Sequence, residues 1–194
     1  ICENKLDEKP IIALLPGSRR QEIATMLPLM LSVTDDFPEF QFVIAAAPSI
    51  PAGFLSGMVS GRPVKIITSQ TYALLTHAKA ALVTSGTATL ETALFEVPEV
   101  VCYKGGWISY SIARMLVKVD YISLVNLILG REAVKELIQN KLNTANLRIE
   151  LNRILNDDDA IKKMQADFIQ LKEILGGKGA SANTARLIAK ALAG

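Results

Sequence analysis

Two short segments of this sequence combine glycine, hydroxyl and charged residues in a spacing that could bind an anion. Leu14–Ile23 reads LLPGSRRQEI, and Thr84–Leu94 reads TSGTATLETAL. In each segment an apolar run leads through a Gly/Ser/Thr turn into a helical pattern. The first backbone N–H groups of such a helix have no partner within it, and together with the helix dipole they favour a phosphate group. Both segments are therefore candidate phosphate-binding turns.

An acidic residue follows the second turn. Glu91 lies four residues after Thr87, so both side chains are predicted to project from one helix face near its beginning. A carboxylate repels phosphate but accepts hydrogen bonds from a ribose diol. The alternative is a carboxylate that only stabilises the N-terminus of the helix, by about 0.3–1 kcal/mol. One such turn alone would be ordinary in an α/β domain, but two turns and an acid indicate a sugar nucleotide.

Short apolar runs alternate with helical patterns over the first half of the chain. The runs with β-strand character are Ile11–Leu15, Phe42–Ala46, Val64–Ile67, Ala80–Val83 and Val100–Tyr103. This alternation predicts an α/β fold with a parallel sheet covered on both faces and ligands at the carboxyl ends of the strands. Beyond Gly130 the pattern predicts helices only, with a break at Gly176 and an N-cap for the last helix at Ser181.

Composition and motifs argue against several classes of function. The 21 Lys and Arg residues nearly balance the 19 Asp and Glu residues, which gives no argument for a nucleic-acid partner. Neither turn matches the GxGxxG or GxxxxGK[ST] patterns of NAD and ATP sites. Cys2 and Cys102 are far apart in sequence and His77 is the single histidine, so we expect reduced thiols, no metal site and a structural or surface role for the histidine.

Three motifs resemble one known family. They are PGSR at Pro16–Arg19, SGTATLE at Ser85–Glu91, and the long RMLVKVDYISLVNLILGREAVKELIQ at Arg114–Gln139. They resemble the C-terminal half of bacterial lipid-A-disaccharide synthases from about Ile11 to Gln139, and the resemblance continues more loosely to the end of the chain. It implies a Rossmann-like domain of three layers, the donor-nucleotide half of a GT-B glycosyltransferase.

The resemblance also implies an activity. The family transfers 2,3-diacylglucosamine with inversion from UDP-2,3-diacylglucosamine to 2,3-diacylglucosamine 1-phosphate and releases UDP, without a cofactor. Residues 1–10 are interpreted as a linker from an N-terminal domain that carries the catalytic base, and residues 11–194 as the UDP-sugar-binding domain with its C-terminal helices. No residue of this chain is assigned to catalysis. The alternatives are another UDP-sugar enzyme, such as a UDP-N-acetylglucosamine 2-epimerase, and a non-enzymatic nucleotide-binding module.

The donor site implied by the resemblance draws on all three motifs: Gly17, Ser18, Arg19, Ser85, Gly86, Thr87, Glu91, Asn126 and Arg131. The planar guanidinium of Arg19 suits a diphosphate. Ser85, Gly86 and Thr87 are expected to surround the diphosphate with N–H and O–H donors. The competing interpretation of Ser18 is a capping box with Gln21, three residues later.

Asn126 is implied to reach the donor sugar or phosphate. Most family members carry proline where this chain has Val125, and loss of the fixed φ of proline leaves the loop freer. Arg131 is the least secure of these residues, because Arg131 and Glu132 could simply begin a helix with the arginine in solvent.

The expected reduced cysteines fit a cytoplasmic protein, and the pathway of the family implies a Gram-negative bacterium. The lipid substrates of the family raise a peripheral contact at the inner membrane as an alternative. The amphipathic, basic segment Lys104–Lys118 contains Trp107 and could either rest on a membrane surface or form a core helix with a solvated edge. The last helix is expected to expose an apolar side to the N-terminal domain. A homo-oligomer is left open.

Overall fold

A parallel sheet forms the centre of the molecule. The computed structural model describes residues 6–59, 61–105, 120–176 and 180–192. Its strands are β1 (Ile11–Leu15), β2 (Gln41–Ala46), β3 (Val64–Thr68), β4 (Ala78–Thr84), β5 (Glu99–Tyr103) and β6 (Lys135–Ile138). All pairings are parallel, and the strand order is β3-β2-β1-β4-β5-β6. The predicted α/β fold with a parallel sheet is confirmed.

Helices cover both faces of this sheet. They are α1 (Arg20–Leu31), α2 (Ala52–Met58), α3 (Thr71–His77), α4 (Thr87–Leu94), α5 (Leu124–Leu129), α6 (Thr144–Asn156), α7 (Asp158–Leu175) and α8 (Ala180–Leu192). Successive side chains of a strand point to opposite faces. In β1, Ile12 and Leu14 accordingly join a core with α1, α6 and α7, while Ile11, Ala13 and Leu15 join a second core with α3. The result is the expected three-layer arrangement.

The sixth strand corrects the prediction that only helices follow Gly130. β6 pairs with β5 from Val100 opposite Lys135 to Tyr103 opposite Ile138. It is the outermost strand on its side of the sheet, and its first two residues, Lys135 and Glu136, are half-exposed. Such a short, charged edge strand carries little of the apolar pattern by which buried strands are recognised.

Two of the C-terminal helices each bury the apolar residues that recur at helical spacing along them. Leu147, Leu151, Ile154 and Leu155 of α6 are buried, and so are Met164, Phe168 and Leu171 of α7. The last helix begins at Ala180, one residue before the predicted N-cap. Its apolar residues Ile188 and Leu192 are 55% and 83% exposed, as expected for the side proposed to face another domain.

Two predicted segments lie wholly or partly outside the described residues. Of the proposed linker, only residues 6–10 are described, and they run to β1 without a helix or strand while Gln41 donates hydrogen bonds to the carbonyl groups of Asp7 and Lys9. Of the proposed membrane segment, residues 106–119 are not described. None of the described helices combines the length and apolar character that a membrane crossing requires.

A carboxyl group is buried at the beginning of β5. Glu99 is fully buried, and neither of its carboxylate oxygens has a hydrogen-bond partner among the described residues. Burial raises the pKa of Glu99 well above its ordinary value, because the charged form loses its solvation. Burial, and then the charge of Glu99, raises the pKa of the neighbouring Cys102 thiol. Glu99 therefore holds its proton in the folded protein at pH values where the unfolded chain has lost it.

This difference predicts that stability falls as the pH rises. Below the ordinary carboxyl value of 4.5, Glu99 is protonated in both states and contributes no slope. Above it, the free energy of unfolding should decrease by up to about 1.4 kcal/mol per pH unit until the folded-state pKa is reached. Glu99→Gln should remove this slope, so its stability relative to the wild type should grow with pH in urea unfolding between about pH 5 and pH 8.

The matched control is Glu173→Gln, which changes an exposed carboxylate on α7 and should follow the wild-type curve at every pH. Parallel curves for Glu99→Gln and the wild type would show that Glu99 is ionised in the folded protein.

Candidate functional site: a cavity between two strand-to-helix turns

The two turns found in the sequence lie side by side at one edge of the sheet. β1 and β4 are neighbours, and Leu15 pairs with Val83 near their carboxyl ends. The strand order reverses between them, since β2 and β3 continue on one side and β5 and β6 on the other. In open parallel sheets the ligand crevice lies at such a reversal.

A cavity of about 400 Å³ separates the turns, a size typical of small-molecule sites. It is lined by Leu15, Gly17, Ser18, Arg19, Glu22, Ala45, Ala47, Thr71, Thr84, Ser85, Gly86, Thr87, Ala88 and Glu91. The structure thus brings together the predicted site residues of the first two motifs. Their roles in binding stay predictions.

The turn before α1 already holds an anion of the protein itself. Glu22 folds back so that its Oε2 accepts a hydrogen bond from the Ser18 backbone N–H at 3.2 Å. Gly17 makes room for this carboxylate, because a Cβ built there would lie 2.0 Å from Glu22 Oε2. Gly17 also has a φ of +108°, a conformation that other residues adopt only with strain. Part of the anion-binding capacity of this turn is therefore used by Glu22.

The capping box proposed for Ser18 and Gln21 is wrong. α1 begins at Arg20, so Arg19 occupies the N-cap position and Ser18 precedes it. The carboxylate that returns to the turn belongs to Glu22, four residues after Ser18. The Arg19 backbone is extended at this point, and its side chain is exposed and lines the cavity.

The turn before α4 is more open. α4 begins at Thr87, which the sequence pattern places in the turn, and no side chain of the described residues caps it. The Gly86 carbonyl accepts hydrogen bonds from the backbone N–H and the hydroxyl of Thr89, at 3.3 and 2.8 Å. A Cβ built on Gly86 would meet nothing within 4 Å. Thr87 and Ala88, at this helix N-terminus, line the cavity.

Ser85 does not offer its donors to this space. Its backbone N–H donates to the Cys102 carbonyl at 3.2 Å, and its hydroxyl donates to the Ile122 carbonyl at 3.0 Å. Ser85 is therefore placed as an anchor of the turn rather than as the expected donor to a diphosphate. Thr84, which sequence analysis left unassigned, lines the cavity with a buried hydroxyl that has no partner among the described residues.

Asn126 lies outside the cavity lining and is completely buried. Its Oδ1 accepts from the backbone N–H groups of Ala133 and Val134 at 2.8 and 2.9 Å. Its Nδ2 donates to the Val134 carbonyl and to Glu136, both at 2.8 Å. The structure does not show the expected reach toward a donor sugar, because the amide joins α5 to the segment before β6 and, through Glu136, to β6 itself.

Arg131 is also placed away from the cavity. Its guanidinium forms an ion pair with Asp167 at 2.5 Å and donates to Gln170, both on α7. The Arg131 side chain is partly exposed but is held by these two contacts. It joins α7 to the loop before β6 and does not line the predicted donor site.

Sequence comparison identifies the family. The family model described as lipid-A-disaccharide synthetase matches residues 2–191. The chain belongs to the lipid-A-disaccharide synthetase family. It is 38% identical over 181 residues to the lipid-A-disaccharide synthase of Syntrophus aciditrophicus strain SB and 36% identical over 191 residues to that of Persephonella marina. These alignments cover 90% and 93% of this chain but 47% and 50% of the relatives, so the chain spans about half their length.

Solved structures show that this chain has the fold of one half of a GT-B glycosyltransferase. The spinosyn rhamnosyltransferase SpnG superposes with a TM-score of 0.63 at 15% identity, covering 94% of this chain and 45% of that one. A SpnG structure in complex with thymidine diphosphate superposes with a TM-score of 0.55 at 15% identity, over 84% of this chain and 42% of that one. A UDP-N-acetylglucosamine 2-epimerase gives 0.50 at 14% identity, over 82% and 38%.

The conformation of Gly17 leads to a stability prediction. Gly17→Ala should lower the free energy of unfolding by about 1–3 kcal/mol, because an L-residue is strained at this φ and its Cβ displaces the Glu22 carboxylate. Gly57→Ala is the matched control: it lies in α2 with nothing within 4 Å of the added Cβ, and should stabilise the helix by about 0.5–1 kcal/mol. Urea unfolding measures both. Equal effects would contradict the strained turn.

Proposed function

We propose that this chain is the donor-binding half of a lipid-A-disaccharide synthase and that its cavity binds the UDP part of UDP-2,3-diacylglucosamine. The observation that carries the proposal is the meeting of Arg19, Glu91 and the N-terminus of α4 in one cavity. The backbone N–H groups and dipole of α4 suit a diphosphate. Glu91, one turn further along the helix, suits the ribose hydroxyls. The binding of UDP needs these complementary groups within the span of one nucleotide.

The diphosphate is best placed at the turn before α4. A phosphate at the turn before α1 would meet the Glu22 carboxylate and compete with it for the Ser18 N–H. At Gly86 and Thr87 no such carboxylate accepts a backbone N–H among the described residues. Arg19, on the opposite wall, can then approach the diphosphate with its guanidinium.

In this reaction the acceptor hydroxyl oxygen attacks the anomeric carbon of the donor sugar. The bond from that carbon to the phosphate oxygen breaks, UDP leaves with the electron pair, and a base takes the hydroxyl proton. The cavity residues would stabilise the charge that develops on UDP and hold the donor in position. The base is proposed to lie in the N-terminal half. His77 is exposed at the far end of α3, whereas Thr71 at the beginning of α3 lines the cavity.

The second candidate function is a UDP-N-acetylglucosamine 2-epimerase. The common fold favours neither enzyme. The match of residues 2–191 to the lipid-A-disaccharide synthetase family favours the transferase and supports the two diacylglucosamine lipids as its proposed substrates. The third candidate, a binding module without activity, is distinguished by the UDP-release assay described below, because it would release no UDP even when joined to the N-terminal half.

Arg19 and Glu91 should affect nucleotide binding differently. The wild-type chain is expected to bind UDP in preference to ADP. Arg19→Ala should weaken UDP by about tenfold or more with a much smaller effect on uridine, because the arginine contacts phosphate. Glu91→Ala should weaken UDP and uridine alike, because the carboxylate contacts the ribose. Calorimetric titration of UDP, ADP and uridine into the wild type, and of UDP and uridine into each variant, measures these affinities.

Arg20→Ala and Glu173→Ala are the controls, since Arg20 neighbours Arg19 but stands over the Phe54 ring, and Glu173 is exposed on α7. Both should bind UDP as the wild type does. No UDP binding up to about millimolar concentration, or the same ligand profile for Arg19→Ala and Glu91→Ala, would contradict the assignment.

Sugar transfer should require the N-terminal half. General-base assistance contributes about 10²–10⁴-fold and positioning of the second substrate contributes more, so this chain alone should release no UDP above the buffer rate. The assay follows UDP release from UDP-2,3-diacylglucosamine with 2,3-diacylglucosamine 1-phosphate, for the chain alone and for the chain joined to the N-terminal half of a family member. Turnover by the chain alone that His77→Ala abolishes would show that the base is here.

A further inference from the structure

One carboxylate outside the cavity collects an unusual number of donors. Glu136, on β6, accepts hydrogen bonds from the backbone N–H of Ile122 and of Ser123, both at 2.9 Å. It also accepts from the Ser123 hydroxyl and from Asn126 Nδ2, both at 2.8 Å. Ser123 in turn caps α5 by accepting from the Asn126 backbone N–H. The loop that enters α5 is thus fixed by a single side chain.

This loop touches the turn before α4. Ile122, whose N–H is held by Glu136, presents its carbonyl to the Ser85 hydroxyl at 3.0 Å. Ser85 is the first residue after β4, and its N–H is held by the Cys102 carbonyl on β5. Glu136 is therefore connected to the turn before α4 through Ile122, by one hydrogen bond to its N–H and one from the Ser85 hydroxyl to its carbonyl.

The connection reaches the turn from outside the cavity lining. Glu136, Ile122 and Ser123 do not line the cavity, whereas Ser85, Gly86 and Thr87 do. Gly86 has no Cβ to restrict it, so the direction of the next N–H groups depends on how firmly Ser85 is held. The Ser85 hydroxyl, bonded to a fixed carbonyl, provides that restraint.

We propose that Glu136 is a positioning residue for the phosphate-binding turn, acting through Ile122 and the Ser85 hydroxyl. This role rests on the proposed binding of UDP in the cavity. Glu136→Gln replaces the carboxylate with a carboxamide, whose NH₂ group must face at least one of the N–H donors. Two donors cannot form a hydrogen bond with each other, so the loop must shift and the restraint on Ser85 loosens. The loss should fall on the diphosphate and spare the ribose contacts at Glu91.

A double-mutant cycle tests the route. UDP and uridine are titrated into the wild type, Glu136→Gln, Ser85→Ala and the double variant, and the stability of each is measured in urea. Each single variant should weaken UDP by about threefold or more and change uridine by less than about twofold. The UDP affinity of the double variant should be no lower than that of the single variant with the lower affinity, because both changes break the same connection. Glu150→Gln, which changes a carboxylate bonded to Arg153 on α6, should leave UDP affinity unchanged.

Three results would overturn the proposal. They are an unchanged UDP affinity in Glu136→Gln, an equal loss of UDP and uridine affinity that follows the loss of stability, and additive effects in the double variant. If Glu136→Gln does not fold, Glu136→Asp, which draws the carboxylate back from the Ile122 N–H, replaces it in the same cycle with the same criteria. No UDP binding by the wild type would instead overturn the proposed function, and this role with it.

Discussion

The reversal of strand order between β1 and β4 is the constraint on which the site depends. Parallel neighbours must leave a sheet at the same edge, so two strand-to-helix turns that are far apart in sequence meet there. The strands themselves are fixed by side chains buried alternately on the two faces of the sheet. The cavity is therefore a consequence of the topology, and only its chemistry is left to the residues of the turns.

The charged side chains that line the cavity are of both signs. Arg19 faces the cavity with two carboxylates, Glu22 and Glu91, and Glu22 already accepts the Ser18 N–H. Binding of a diphosphate is best understood as a choice between two unequal turns. The one before α1 contains an anion of the protein, and the one before α4 is open and braced from behind by Ser85. In the proposed binding of UDP, this inequality gives the nucleotide one orientation across the crevice.

The sequence predicts the parallel sheet and the two turns at its edge, because the buried strands are apolar runs and the turns contain glycine and hydroxyl residues. It does not reveal β6, whose Lys135 and Glu136 look like a helix surface. Nor does it place Glu22, because a carboxylate can return to the Ser18 N–H only where Gly17 has a positive φ. The resemblance implies that Asn126 reaches the ligand, whereas its hydrogen bonds to the segment before β6 and to Glu136 depend on a strand that the pattern does not show.

A crystal structure of this chain with UDP tests the central claim most directly. The account predicts the diphosphate against the backbone N–H groups at Gly86–Ala88, Arg19 turned toward it, and the ribose hydroxyls on Glu91, with the Ser85 hydroxyl still bonded to the Ile122 carbonyl. A diphosphate at the Ser18 N–H with Glu22 displaced would contradict the inequality of the two turns. A nucleotide bound outside the β1–β4 crevice would contradict the account as a whole.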